Sequence, residues 1–414
     1  MPRFTMMLVI AILAIGLLST GSLGDPLDEF MLGARLSSYL TKRVWDGVWT
    51  RVSPLEQLRN HGFEWACVQM RTTSSTFLKT IPVSEWNTLP WRNEYWCSYE
   101  MAKQMLEEAQ DAGFRLWLYL NMTDDDAMGA YQHAPAEWRG LSQQETEARL
   151  EEYTHQAVSS LIADGIDIEV YSMSGEIEWG ILDFGPAFNS GGRLGEPRPG
   201  EDTLDYMDRV VWPVEASLLA AGIRGVRRAD PDAVIVLYVA GISFFPSPQY
   251  DNLRDMIPRF FRAMKRHRVD YDISGFSWVY PYCEPCWPFP EMSVEWLFGQ
   301  TASVAAEVAA LGKPVIIAEA GYPSSPAGIA AQDPMPGYPY TMAGQADLIE
   351  ELLEFSYEND DIDGFFYFAP DWIPRPYHTE TDFHLDGNSF FNGNETAKPA
   401  LDVVEEFARL HLNR

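Results

Sequence analysis

The stretch KPVIIAEAGYP, residues 313–323, indicates the architecture of the chain. Small and apolar residues lead directly to a carboxylate, Glu319, and the chain then turns at Gly321 and Pro323. An apolar run of this length, bounded by turn residues, is typical of a buried strand of a parallel sheet. A buried strand that ends on a carboxylate suggests that Glu319 faces a site at the strand's carboxyl end.

Seven more apolar runs occur along the chain, and segments with helical spacing separate them. This alternation predicts a single α/β domain over residues 25–414, a (β/α)8 TIM barrel closed by a helix at 402–412. A doubly wound open sheet is the alternative, but no Gly-x-Gly-x-x-Gly turn or phosphate loop supports it. The eight predicted strands are residues 31–36, 63–70, 114–120, 166–173, 233–239, 271–278, 314–318 and 363–368.

The amino-terminal residues resemble a targeting segment. Arg3 precedes an apolar run at 6–18, and Ser22 and Gly24 are small residues of the kind that a signal peptidase requires. The run is short for a bilayer span, so we predict a cleaved signal peptide over residues 1–24, with an uncleaved anchor as the alternative. The expected location is secreted or periplasmic, with no membrane association after cleavage.

Charge and cysteine content narrow the choice of partners. The formal net charge is -30 and the pI about 4.5, which excludes a nucleic-acid partner because phosphates would be repelled. A monomer is expected.

The prolines around Cys283 and Cys286 oppose a helical redox motif, so we expect a structural bridge or free thiols. The four cysteines are Cys67, Cys97, Cys283 and Cys286.

Two glutamates follow predicted strands on opposite sides of the barrel. Glu319 ends the seventh strand, and Glu176 follows the fourth in EVYSMSGEIEWG. Two carboxyl groups that face each other across a sugar can act as proton donor and nucleophile of a retaining glycosidase when they lie about 5 Å apart. Glu178 is the alternative acid, two residues beyond Glu176.

The chain from residue 31 onward resembles glycoside hydrolase family 53, the endo-β-1,4-galactanases. Short motifs similar to those of the family follow one another in the family's order. They are MLGARLSS (31–38), HGFEWACVQMR (61–71), AQDAGFRLWLYLNMTDD (109–125), AYQHAPAEWRGLS (130–142), GEIEWGIL (175–182), DISGFSWVYPY (272–282), KPVIIAEAGYP (313–323), YPYTMAGQADLI (338–349), GFFYFAPDWIP (364–374) and GNSFFNGNETAKPAL (387–401).

By this resemblance, Glu176 is the general acid/base and Glu319 the nucleophile of a retaining reaction. The implied enzyme is secreted, needs no cofactor, and cuts internal β-1,4-galactan linkages, as in the galactan side chains of pectin. The alternative within the same mechanism is another β-linked glycan. The resemblance implies substrate contacts for Asn121, Asp124, Tyr280, Tyr322 and Trp372.

Several supports of the central sugar site differ from the family. Gly175 precedes the acid/base where the family has an Asn that binds the sugar's 2-hydroxyl and the nucleophile. Arg35 replaces an Asp, Cys67 an Arg, and Asn121 a His, and Arg35 or Asn121 could fill the space of the missing Asn. Gly175 and Cys67 favour the remaining alternative, a catalytically weak barrel that binds polysaccharide, whereas the carboxylate pair favours an enzyme.

A metal site is not expected. Some family members hold calcium after strand seven, but the corresponding residues 324–337 supply only Asp333 as a charged oxygen ligand. The acidic run at 124–126 is more typical of a solvated loop than of a metal site.

Overall fold

The computed structural model describes residues 29–37, 53–71, 98–122, 132–187, 192–240, 255–279, 293–325, 334–374 and 387–413. The predicted signal peptide, Asp124, Tyr280, Asp333 and three of the cysteines (Cys97, Cys283 and Cys286) lie outside these residues.

Eight parallel strands form a closed barrel in sequence order, and β8 pairs with β1. This confirms the predicted (β/α)8 architecture. The strands are β1 (Met31–Arg35), β2 (Trp65–Arg71), β3 (Arg115–Asn121), β4 (Ile168–Met173), β5 (Val234–Val239), β6 (Ile273–Val279), β7 (Val315–Gly321) and β8 (Gly364–Phe368).

Helices surround the barrel, and the last one ends near the carboxyl terminus, as predicted. A π-helical turn, Met207–Val211, leads directly into the helix Trp212–Ala229. The helices are α1 (Pro54–Asn60), α2 (Tyr99–Asp111), α3 (Gln143–Ala163), α4 (Thr203–Tyr206), α5 (Trp212–Ala229), α6 (Met256–Arg266), α7 (Val294–Ala309), α8 (Met342–Glu358) and α9 (Pro399–His411), with a 3-10 turn at Ala136–Trp138. Within the described residues, no helix is both long and apolar enough to cross a membrane.

Hydroxyl side chains fix where several helices begin. Ser142 and Glu145 form a reciprocal capping box at the start of α3. The hydroxyls of Ser98, Ser293 and Thr341 accept hydrogen bonds from backbone N–H groups in the first turns of α2, α7 and α8. These bonds satisfy donors that a helix amino terminus otherwise leaves unpaired.

The interior of the barrel is a packed core of its own, separate from the larger core between strands and helices. Near its centre, the rings of Trp117 and Phe366 meet edge to face with centroids 4.6 Å apart. The inward-facing apolar residues are Met31, Trp65, Cys67, Trp117, Tyr119, Val170, Val236, Tyr238, Ile273, Ile316, Ala318 and Phe366.

Gly33 on β1 makes room for the central ring. A Cβ at this position would lie 2.0 Å from Cε1 and 2.2 Å from Cδ1 of Phe366. We expect Gly33→Ala to lower the free energy of unfolding by about 1–3 kcal/mol, because the methyl group overfills a core with no spare volume. Urea unfolding followed by circular dichroism measures this.

Gly299→Ala is the matched control, because no atom lies within 4 Å of a Cβ at that helical position. It should stabilise the protein by about 0.5–1 kcal/mol through the entropy of the unfolded chain. Equal stability of the Gly33 variant and the wild type would contradict the proposed packing.

Candidate active site

Glu319 lies on β7, where the strand is irregular. The pairing with β6 shifts register between Phe276 and Ser277, so that Ser277 becomes the partner of Glu319. Only 8% of Glu319 is exposed. The strand continues to Gly321, so Glu319 lies within its last residues, paired with Ser277.

The segment after β4 is held in an unusual conformation. Ser174 and Glu176 have φ values of 58° and 52°, in the left-handed region that residues other than glycine seldom adopt. The Gln132 side-chain amide donates hydrogen bonds to the carbonyls of Gly175 and Glu176, at 2.8 and 3.1 Å. Ser174 Oγ accepts a bond of 2.8 Å from the N–H of Met122. Strain of this kind persists only where the surroundings enforce it, and such strain clusters at functional sites.

Ser277 connects the two predicted catalytic carboxylates. Its hydroxyl donates a hydrogen bond of 2.9 Å to Glu176 Oε1, and its register partner on β7 is Glu319. The structure therefore brings Glu176 and Glu319 to the same end of the barrel, around one serine.

Arg35, the last residue of β1, forms an ion pair with Glu319. Its guanidinium lies 4.9 Å from the ring centroid of Tyr119 and 5.2 Å from that of Phe368. Because Arg35 is only 8% exposed, the charges of this pair compensate each other in a largely water-free place. The cation stands beside the predicted nucleophile and within electrostatic reach of Glu176.

Cys67 on β2 is the register partner of Arg35 and a buried free thiol. Burial raises the pKa of Cys67 to about 12, although the Arg35 charge lowers it in part. The thiol is therefore neutral at physiological pH and is not a nucleophile.

Three of the five predicted substrate-binding residues are described and buried, and the other two lie outside the described residues. Asn121 ends β3 and Tyr322 follows β7, but both are 0% exposed. The Tyr322 hydroxyl donates to the carbonyl of Tyr338 and accepts from Met335 N–H. Trp372 is also buried, so the sugar contacts of all three stay predictions. Those of Asp124 and Tyr280 lie outside the described residues.

Glu178, the alternative acid, points into the protein. It is 2% exposed, and its Oε2 accepts a hydrogen bond of 2.9 Å from Ala240 N–H. Burial raises the pKa of Glu178 to about 8, the Ala240 bond lowers it, and the Glu176 charge raises it further. Glu215 on α5 is buried beside it, and within the described chain neither carboxyl oxygen of Glu215 has a hydrogen-bond partner.

Three buried polar residues at or near the site were not predicted from the sequence: Ser277, Gln132 and Glu215. Ser277 and Gln132 lie within the quoted family-like stretches, DISGFSWVYPY and AYQHAPAEWRGLS. Their presence in those motifs was the available signal. Glu215 lies on a helix with no motif, and only its complete burial marks it.

The buried carboxyls make stability depend on pH. The folded-state pKa of Glu178 is about 8, against an ordinary value of 4.5, and burial also raises the pKa of Glu215. Between those two pH values the folded chain keeps protons that the unfolded chain releases, so the free energy of unfolding falls as pH rises, by up to about 1.4 kcal/mol per pH unit per group.

Glu178→Gln/Glu215→Gln should flatten this slope between pH 5 and 8, because neither amide titrates. Urea unfolding at a series of pH values measures it. Glu152→Gln serves as control, since contact with Arg228 lowers the pKa of Glu152 and places its titration below this interval. Identical slopes in the double variant and the wild type would refute the protonated state of the pair.

The chain is similar to known glycoside hydrolases. It is 24% identical over 283 residues to an endo-beta-1,4-galactanase of Bacillus subtilis (strain 168), which covers 66% of this chain and 56% of that protein. A probable arabinogalactan endo-beta-1,4-galactanase A of Aspergillus tubingensis is 23% identical over 277 residues, 65% of this chain and 68% of the relative. The match thus spans little more than half of the Bacillus protein.

A solved structure, the Ignisphaera aggregans GH53 catalytic domain, superposes with a TM-score of 0.66 at 19% identity, over 92% of this chain and 96% of that domain. At this identity the superposition supports the fold alone. The model of Glycosyl hydrolase family 53 matches residues 53–404, and because this is most of the sequence, the chain belongs to that family.

Proposed function

We propose that the protein is a retaining glycoside hydrolase that cuts internal β-1,4 linkages of galactan. The observation that carries the proposal is the meeting of Glu176 and Glu319 around Ser277, with Arg35 paired to Glu319. Family membership and the galactanases among the relatives support both the reaction and the substrate.

In the first step, the Glu176 carboxyl gives its proton to the oxygen of the leaving sugar while the Glu319 carboxylate attacks the anomeric carbon. The carbon–oxygen bond breaks and a glycosyl ester forms on Glu319. In the second step, the Glu176 carboxylate takes a proton from water, which attacks the same carbon and releases Glu319. The Ser277 hydroxyl orients Glu176, and the ion pair with Arg35 fixes the position of Glu319.

Export of the protein belongs to the same proposal. Polymeric galactan cannot enter a cell intact, and the signal-like residues 1–24 would direct the enzyme to its substrate. A polysaccharide-binding barrel without turnover is the second candidate, because Arg35 already pairs with Glu319 in a buried place.

Glu319→Gln and Glu176→Gln test the mechanism on purified β-linked polysaccharides, galactan first. We expect Glu319→Gln to lower kcat by at least about 10⁴-fold, because no covalent intermediate can form. Glu176→Gln should abolish cleavage of galactan but retain turnover of an aryl β-1,4-galactobioside with a good leaving group, since that leaving group needs no proton. Added azide should accelerate the Glu176 variant and yield a β-glycosyl azide.

Glu178→Gln is the matched control and should stay within a few fold of the wild type, because Glu178 faces the interior. Wild-type activity on another β-glycan alone would keep the mechanism and change the substrate. Binding of galactan without hydrolysis by any form would establish the binding barrel instead. An α-configured first product by NMR would show inversion and refute the double displacement.

A further inference from the structure

Gly175, one residue before Glu176, leaves a volume that another side chain fills. A Cβ at position 175 would lie 1.9 Å from Cζ and 2.0 Å from the hydroxyl oxygen of Tyr238. The φ of Gly175 is outside the left-handed region, so the close approach of Tyr238, and not the backbone conformation, requires glycine here. The phenol of Tyr238 thus occupies the place of the absent side chain.

Tyr238 comes from β5, and its hydroxyl lies near the hydroxyl of Tyr119. The residue is 1% exposed, and among the described residues its hydroxyl has no hydrogen bond of ordinary geometry. The ring of Tyr119 meets it edge to face, with centroids 5.7 Å apart. Burial raises the pKa of Tyr119, while Arg35 and the Tyr238 hydroxyl lower it in part. Buried hydroxyls normally make a well-formed hydrogen bond, and because that of Tyr238 makes none, it can donate to a group that enters the site.

Charged and titratable groups of the proposed site surround Tyr238. Burial raises its pKa, the Arg35 charge lowers it, and Tyr119 and Glu176 raise it again. The Arg35 guanidinium lies 6.0 Å from the Tyr238 ring centroid. The phenol therefore lies near the cation that pairs with Glu319 and within electrostatic reach of Glu176, and it is protonated at neutral pH.

We propose that the Tyr238 hydroxyl is a substrate-binding group, which donates a hydrogen bond to the sugar hydroxyl next to the reacting carbon. This inference rests on the proposed function. In retaining glycosidases the bonds to the 2-hydroxyl strengthen as the transition state forms, so a donor beside position 175 and near Arg35 is suited to that hydroxyl. Gly175 lets a tyrosine from β5 perform this role in place of a side chain on the acid/base segment.

Tyr238→Phe keeps the ring and removes the donor, so we expect a stable protein. With an aryl β-1,4-galactobioside, its kcat/KM should fall about 10- to 100-fold. With the analogue that lacks the 2-hydroxyl on the sugar bonded to the aryl group, wild type and variant should agree within about twofold. Tyr171→Phe is the matched control, because Tyr171 is equally buried but donates to Asp230 at 2.9 Å, away from the carboxylates.

An equal loss on both substrates, or no loss on either, would overturn the assignment. Calorimetric binding of galactobiose and its 2-deoxy analogue tests the same contact without turnover. A wild type that binds galactobiose but cleaves neither galactan nor the aryl galactobioside would refute the proposed hydrolase yet keep the Tyr238 contact, provided that Tyr238→Phe weakens binding of galactobiose and not of its 2-deoxy analogue. If Tyr238→Phe changes neither the binding of galactobiose nor the turnover of the aryl galactobioside, the contact is refuted.

The steric part of the proposal has an independent test. Gly175→Ala should lower the urea midpoint, because its methyl group would collide with Tyr238. Added to a Tyr238→Ala background, the same change should have a much smaller effect. Equal effects of Gly175→Ala in the two backgrounds would show that Tyr238 does not fill the volume at position 175.

Discussion

The ion pair between Arg35 and Glu319 is the constraint on which the rest of the site depends. Arg35 ends β1 and Glu319 lies on β7, so the two charges meet across β8 only when the barrel is closed. Both residues are 8% exposed, and removing one partner of such a pair typically costs about 3–5 kcal/mol because it leaves an uncompensated charge. Closure of the barrel and placement of the predicted nucleophile are therefore coupled.

The strands were predictable because each is buried on both faces and therefore appears as an apolar run. The limits of β7 were not. The sequence suggests an end at 318, where the first charged residue follows, but the strand runs from Val315 to Gly321. A register shift between Phe276 and Ser277 makes Ser277 the partner of Glu319 without ending the strand. Hydrophobicity reports burial, whereas a bulge depends on how two strands pair.

The positions of the two glutamates followed from strand order alone, but their environment did not. Ser277 and Tyr238 lie on strands whose side chains point alternately into and out of the barrel. This alternation indicates which side chains point inward, but not how far along the barrel axis each one lies. The family resemblance implies sugar contacts for Tyr322 and Trp372, which are buried, and these contacts stay predictions. Gly175, which follows β4, packs against Tyr238 of β5, and no local sequence pattern predicts a contact between residues of two different strands.

Two departures from the family pattern occur as matched pairs in space. The resemblance implies an arginine on the second strand, where this chain has Cys67, and the register partner of Cys67 on β1 is Arg35. A cation from the neighbouring strand can occupy the barrel mouth because the residue beside it is small. Gly175 and Tyr238 follow the same logic. The strands of a barrel all end at one mouth, so a neighbouring strand can supply a required side chain. The residue at the original position must then be smaller to leave room. Substitutions at this site must therefore be judged in pairs.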